Sequence, residues 1–194
     1  MKILVVLGHQ NTSQTSFCHA IARTAVETLR ASGHDVVFHD LYAERFDPVL
    51  TQEELAADVP ADPIVRRHLD ELVGADGYVV VHPNWWGQPP AVLKGWIDRI
   101  FRNGPVYRFG PDGVTSTIAG RSALVLTTSN TPREAELECY GDPLENLWKN
   151  CIFGLCGVTN FARRNFESIV MSTPEDREGW LDEVRTLVKR RFPA

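Results

Sequence analysis

Residues 77–101 read GYVVVHPNWWGQPPAVLKGWIDRIF, and three local chemistries follow one another there. GYVVVH is a continuous apolar run, the pattern of a strand covered on both faces. AVLKGWIDRIF reads as a helix over 91–101. Between them, Pro83, Asn84, Trp85, Trp86, Gly87, Gln88, Pro89 and Pro90 make a turn that the prolines stiffen by fixing φ. Two of the chain's five tryptophans stand side by side in that turn, where loops usually face water. A strand, a rigid turn and a helix in succession set the pattern for the rest of the chain.

The same alternation extends in both directions. Strands are expected at 2–8, 34–41, 122–128 and 158–169. Helices are expected at 17–31, with Gly33 as stop, and at 64–73, 142–156 and 174–191. Residues 42–62 are polar and irregular, and 103–120 form a glycine-rich excursion. Five strands alternating with helices predict an α/β fold, a three-layer sandwich with a parallel sheet between two helical layers. No linker or repeat divides it, so residues 1–194 are expected to form one domain.

The bulk numbers narrow the function. The chain has 194 residues, 43% hydrophobic and 23% charged, with a formal net charge of −5. That balance, without any Lys/Arg-rich run, argues against nucleic acid or an anionic membrane as partner. No segment approaches the roughly 18 apolar residues of a membrane span, and MKILVVLG is too short for a signal peptide. The expectation is a soluble, cytoplasmic protein. Cys18, Cys139, Cys151 and Cys156 form no C-x-x-C pair and are expected to be reduced packing residues.

Open parallel sheets bind ligands beyond the carboxyl ends of their strands, where strand order reverses. In a 2-1-3-4-5 order the loops after strands 1, 3 and 4 serve that place. Here these are HQNTSQTSF, HPNWWGQPP and TTSNTPRE, the three unusual loops of the sequence. The first carries Thr12, Ser13, Thr15 and Ser16 ahead of a helix, suited to a phosphate at a helix N-terminus. Taken alone, the same hydroxyls are equally good turn and capping residues. The second holds Trp85 and Trp86 ready for a flat ligand; the alternative is that both rings are core. The third, with Thr127, Thr128, Ser129 and Asn130, lets backbone approach a ligand edge. Neither G-x-G-x-x-G nor G-x-x-x-x-G-K-S/T occurs, nor G-x-S-x-G. His34 and His39 have odd spacing on one strand, and no cluster has metal-ligand spacing.

These residues carry a resemblance that runs nearly end to end. His9 with Thr15-Ser16-Phe17, DLYAERFDPVLT after the second strand, P-x-x-W-x-x-x-P-A-x-L-K-G-W at 83–96, DRIF at 98–101, TTSN at 127–130 and FGLCGV at 153–158 resemble the NAD(P)H:quinone oxidoreductase family. That family has the flavodoxin-like fold and includes ancillary oxidoreductase subunits of potassium-efflux systems. The resemblance implies a non-covalent flavin, FMN or FAD, with NAD(P)H as co-substrate. It puts His9, Thr15, Ser16 and Phe17 at the phosphates. Pro83, Asn84, Trp85 and Trp86 fall along the ribityl chain and ring, and Thr128, Ser129 and Asn130 at the opposite edge. Tyr107 and Phe109 match a pair of lid aromatics over the substrate pocket. The implied reaction is ping-pong: hydride transfer to the flavin, then two-electron reduction of a quinone-like acceptor. Trp85 and Trp86 form the implied stacking wall, and Trp86 and Tyr140 are the implied catalytic residues. Tyr140 stands where the best-known members have a histidine and brings a phenol in its place; a family tyrosine falls at Glu134 and is missing. The resemblance also implies a homodimer with the active site at the interface. Its alternative function is a regulatory flavoprotein subunit that associates peripherally with a transporter.

Overall fold

The computed structural model describes residues 1–11, 13–57 and 60–194; Thr12, expected in the first loop's hydroxyl set, lies outside them. In chain order the elements are β1 (Lys2–Leu7), α1 (Phe17–Ala31), β2 (Asp35–Asp40), α2 (Gln52–Ala56), α3 (Pro63–Gly74), β3 (Gly77–Pro83) and α4 (Ala91–Ile100). Then follow β4 (Tyr107–Gly110), β5 (Gly113–Ser116), β6 (Ser122–Thr128), α5 (Arg133–Glu138), α6 (Pro143–Asn146), β7 (Asn160–Phe166) and α7 (Pro174–Arg191). Five strands form one parallel sheet in the order β2-β1-β3-β6-β7. Numbered among themselves, these are strands 2-1-3-4-5, the expected order of the flavodoxin-like sandwich.

Every residue of β3 is buried. Alternate side chains feed two cores. Leu4, Val6, Tyr78, Val80 and Val125 face α3 and α4, while Ile3, Val5, Val79, Val81 and Leu124 face α1 and α7. This two-sided burial is why the strands read as continuous apolar runs. No described helix is long and apolar enough to cross a membrane.

Several expectations change. The 103–120 excursion contains an antiparallel hairpin, β4 with β5, whose exposed strands lack an apolar alternation to announce them. The helix expected over 142–156 divides. Asp142 is left-handed (φ 47°), α6 occupies a single turn, and 147–154 is a π-helix. The last strand is shorter than expected, because Ser168 turns left-handed (φ 51°) and a 3-10 turn follows at Ile169–Met171. All four cysteines are free, but only Cys18 and Cys156 are packing residues; Cys139 and Cys151 are exposed.

The irregular 42–62 segment is pinned across α4. Arg99, buried on α4, donates Nε and Nη2 to Glu54 at 3.0 Å, Nη2 to Asp62 at 3.0 Å and Nη1 to the Asp47 carbonyl at 2.6 Å. Glu54 also closes a capping box with Thr51 at the start of α2. A Cβ on Gly95 would stand 2.2 Å from the Pro48 carbonyl oxygen. This contact links the DPVLT and LKGW motifs: the glycine lets one backbone lie on the other.

A second tie joins β2, α3 and α4. His39 has Nδ1 2.8 Å from Glu44 and Nε2 2.6 Å from Glu71, so both nitrogens donate and the ring is an imidazolium. Its ring stacks on His68 with centroids 3.8 Å apart and 22° between planes. His68 Nδ1 accepts the Trp96 indole N–H at 3.1 Å, leaving its Nε2 proton for Glu44 at 3.1 Å. Donor atoms of His39, Glu44 and His68 lie within 4.8 Å of one another. The protons and the near-parallel rings make this a hydrogen-bonded clamp rather than a metal-ligand set, since lone pairs of stacked rings do not converge on one point. Burial opposes the charge on His39, but the bonds and charges of Glu44 and Glu71 outweigh it and raise its pKa. Burial likewise pushes Glu44 up, yet His39 and His68 win and hold it at about 2.

The pH dependence follows from linkage. His39 is raised in the folded state, so its contribution is complete below the ordinary value of 6.5 and is lost as pH rises through the folded pKa. Glu44 is depressed, so its contribution is complete above 4.5 and is lost as pH falls toward about 2. Melting temperatures across this range should show the clamp at full strength between those limits, and His39→Gln should flatten the alkaline fall. A second prediction concerns the Pro48 contact. Gly95→Ala should destabilise by about 3 kcal/mol or more, because a rigid backbone must move; denaturant unfolding with a change below about 1 kcal/mol would contradict this.

Candidate active site

The carboxyl tips of β1, β3 and β6 lie side by side, and their loops are tied together from beneath. Gly8 N–H donates to the Val81 carbonyl at 3.0 Å, and Asn84 N–H to the Thr128 carbonyl at 2.7 Å. The Cys18 thiol, pushed up to about 12 by burial, sits 3.2 Å from Thr128 Oγ1.

In the first loop, Ser16 is the N-cap of α1: Oγ accepts the His19 N–H at 3.3 Å and contacts His19 Nδ1 at 2.7 Å. Thr15 is held by Asn11 Nδ2 at 3.1 Å and by Ser13 Oγ at 3.0 Å. His9 Nδ1 accepts the Asn11 N–H at 3.0 Å. Burial first, and the His19 charge second, lower the His9 pKa. The capping role is thus real for Ser16, and the loop is preorganised by its own hydrogen bonds. The Phe17 ring packs against Phe166 and Trp180, so only the backbone of Phe17 is disposed toward the loop.

In the second loop, Trp85 and Gln88 exchange backbone hydrogen bonds of 2.9 and 3.0 Å. The two residues between them take positive φ, 56° at Trp86 and 72° at Gly87, as in a type I′ turn. Asparagine or glycine ordinarily occupies such a position; a tryptophan there is strained. The turn thrusts Trp86 out until it is 98% exposed, so this indole is not core. Asn84 fixes the turn: Oδ1 accepts the Gly87 N–H at 2.8 Å, and Nδ2 reaches both Glu136 oxygens at 3.2 and 3.4 Å. A Cβ at Gly87 would stand 2.7 Å from Pro143. Below, buried His82 donates Nδ1–H to the Pro83 carbonyl at 2.8 Å and accepts the Trp148 indole N–H on Nε2 at 2.9 Å. Burial lowers its pKa to about 4, so the ring is neutral and its tautomer fixed.

In the third loop, Asn165 accepts from Thr127 Oγ1 at 2.8 Å and donates to Ser129 Oγ at 3.0 Å, and Asn130 Oδ1 accepts the Val170 N–H at 3.3 Å. Between the second and third loops lies a cavity of about 660 Å³, bounded by Asn84, Trp86, Ser129, Asn130, Glu136 and Tyr140. Tyr140 stands at its rim, 64% exposed. Glu136, 4% exposed, is a wall residue that no sequence signal announced; REAELE reads as any surface turn of helix. Tyr107 and Phe109 do not line this cavity. They meet edge to face at 5.6 Å on the hairpin, where Tyr107 borders a separate hollow of about 240 Å³. A larger groove of about 850 Å³ runs beside α5 and β7. Charges line it: Arg163 meets Asp142 at 2.8 Å and Arg133 meets Glu167 at 3.5 Å, while Arg163 Nε and Nη2 and Glu167 Oε1 are buried without a hydrogen-bond partner among the described residues.

The comparisons agree with this fold. The family described as having the flavodoxin-like fold matches residues 1–189. An uncharacterized NAD(P)H oxidoreductase of Haemophilus influenzae is 28% identical over 188 residues, 94% of this chain and 91% of the relative. The FMN-dependent NADH:quinone oxidoreductase of Macrococcus caseolyticus is 27% identical over 175 residues, 81% of this chain and 82% of the relative. The solved NAD(P)H:quinone oxidoreductase of Methanothermobacter marburgensis superposes with a TM-score of 0.82 at 25% identity, covering 98% of this chain and 95% of that one. With its strand order, its three specialised loops and these relatives, the chain belongs to the NAD(P)H:quinone oxidoreductase family of flavodoxin-like proteins and is an oxidoreductase.

Proposed function

We propose that residues 1–194 act as a single domain that binds a flavin non-covalently, as FMN or FAD, at the three strand tips. There it moves electrons from NAD(P)H to a quinone-like acceptor in a ping-pong cycle. The observation that carries this reading is the left-handed Trp86–Gly87 turn, which sets an exposed indole beside a polar-edged cavity of about 660 Å³. The donor set fits a flavin: hydroxyls and a helix N-terminus for a phosphate on one side, a flat aromatic wall and amide-rich loops on the other.

When bound, the flavin supplies the two-electron chemistry. The chain's residues bind and orient. Thr15, Ser16, His9 and the Phe17 backbone take the phosphate end. Pro83, Asn84, Trp85 and Trp86 border the ribityl chain and ring, and Thr128, Ser129 and Asn130 the far edge. Trp86 stacks, and the Tyr140 phenol meets the acceptor at the cavity rim. Tyr107 and Phe109 are not among the residues lining their own chain's cavity, and Phe109 is 68% exposed. In a homodimer, that hairpin covers the cavity of the other copy. The name of the Macrococcus relative, with its FMN dependence, supports the flavin.

The purified protein should be yellow, or become so on soaking with FMN or FAD, and chromatography of the released cofactor identifies which. It should then oxidise NADH or NADPH with menadione. A preparation that stays colourless in excess flavin would overturn the reading. Trp86→Ala should weaken flavin binding about fivefold, from the roughly 1 kcal/mol of an aromatic contact, with no loss of melting temperature. Unchanged flavin affinity would remove Trp86 from the stacking role.

A further inference from the structure

A quinone becomes a hydroquinone by gaining one hydride and one proton. NAD(P)H supplies the hydride and leaves as NAD(P)+; the proton comes from solvent or from a group at the cavity. Few groups there hold one. His82 is sealed beneath the loop, with one nitrogen donating to Pro83 and the other occupied by Trp148. Cys139 and Tyr140 lie at the exposed rim. Glu136 is the one carboxyl on the cavity wall among the described residues. It is buried, and Asn84, itself locked to the Gly87 N–H, holds both its oxygens.

We propose that Glu136 is a catalytic acid, giving its proton to the acceptor oxygen as the acceptor takes the hydride. The carboxyl O–H bond breaks, an O–H bond forms on the acceptor, and the carboxylate regains its proton from water. This inference rests on the flavin reading above and names the proton source that reading lacks.

The surroundings favour a carboxyl that keeps its proton. Burial raises its pKa most, and the Asp142 charge raises it further. Arg163 and the Asn84 bond pull the other way, and Glu167 pushes up again, so the net direction is upward. Arg163 gives its Nη1 to both Asp142 oxygens at 2.8 Å, while its Nε and Nη2 are buried without a hydrogen-bond partner among the described residues. A carboxylate formed at Glu136 would meet that guanidinium, but burial and the neighbouring charges of Asp142 and Glu167 outweigh it. Catalytic acids are commonly tuned upward in this way.

Two experiments test the assignment. In the flavin-loaded protein, reoxidation is followed by stopped flow with menadione, which needs a proton, and with ferricyanide, which takes electrons alone. Glu136→Gln, whose amide oxygen still accepts from Asn84, should slow menadione roughly tenfold or more relative to ferricyanide. It should also flatten the fall of the menadione rate with rising pH. Equal slowing of both acceptors would overturn the proposal. The second experiment uses the flavin-free wild type: a carbon-13 NMR titration of the glutamate carboxyls. Glu136 should titrate above the ordinary glutamate range, and titration at or below that range would overturn the proposal even where the variant fails to fold. A chain that takes up no flavin fails visibly at loading and sinks the underlying reading instead.

Discussion

Complete burial of β3 is the constraint from which the site follows. A strand with apolar partners on both faces and a neighbour on each side has no free surface except at its ends. Its amino end meets the packed Phe192 ring, which a Cβ at Gly77 would strike at 2.5 Å. Only the carboxyl end opens, and there the chain places its prolines, paired tryptophans and Asn84. Both layers of helix are built around that axis, and the loops after β1 and β6 are hydrogen-bonded to it. The chemistry gathers where the sheet leaves room.

The region around α4 repeats the theme with charge instead of apolar packing. Arg99 is buried only because two carboxylates and a carbonyl receive its guanidinium, and the His39 imidazolium survives because two glutamates clasp it. An unpaired cation in either place would be expelled or neutralised. These clusters hold down a segment with little regular structure, so the loop side of the sheet is firm enough to support a strained turn. His82 and Trp148 do the same beneath Pro83 with neutral groups.

What the sequence revealed, and what it hid, divides by range of interaction. Strand positions were legible because two-sided burial writes itself into GYVVVH and SALVLTT. The unusual character of HPNWWGQPP was legible because proline, glycine and tryptophan rarely crowd a turn. Ser16 was readable in two ways, as cap or ligand, and its hydroxyl does cap the helix. Glu136 was illegible because its partner Asn84 lies fifty-two positions earlier, and REAELE has no local mark of its burial. The hairpin at 107–116 and the π-helix at 147–154 were hidden for a related reason: an exposed ribbon has no apolar period, and the π-turn brings Trp148 to His82 across sixty-six positions. The motif glycine at 95 was visible as a letter, but its purpose, room for Pro48, appears only in three dimensions.

The five indoles have an optical consequence. Trp96 and Trp148 lie in the interior with their N–H groups bonded to histidines, and Trp180 packs against Phe17 and Phe166. Trp85 is half-exposed, and Trp86 stands almost wholly in water. Its emission lies at the red edge of the spectrum, open to iodide, while the interior indoles emit to the blue and are shielded. Whatever settles against that outermost ring will dim the red portion of the fluorescence, so the molecule carries its own gauge of occupancy.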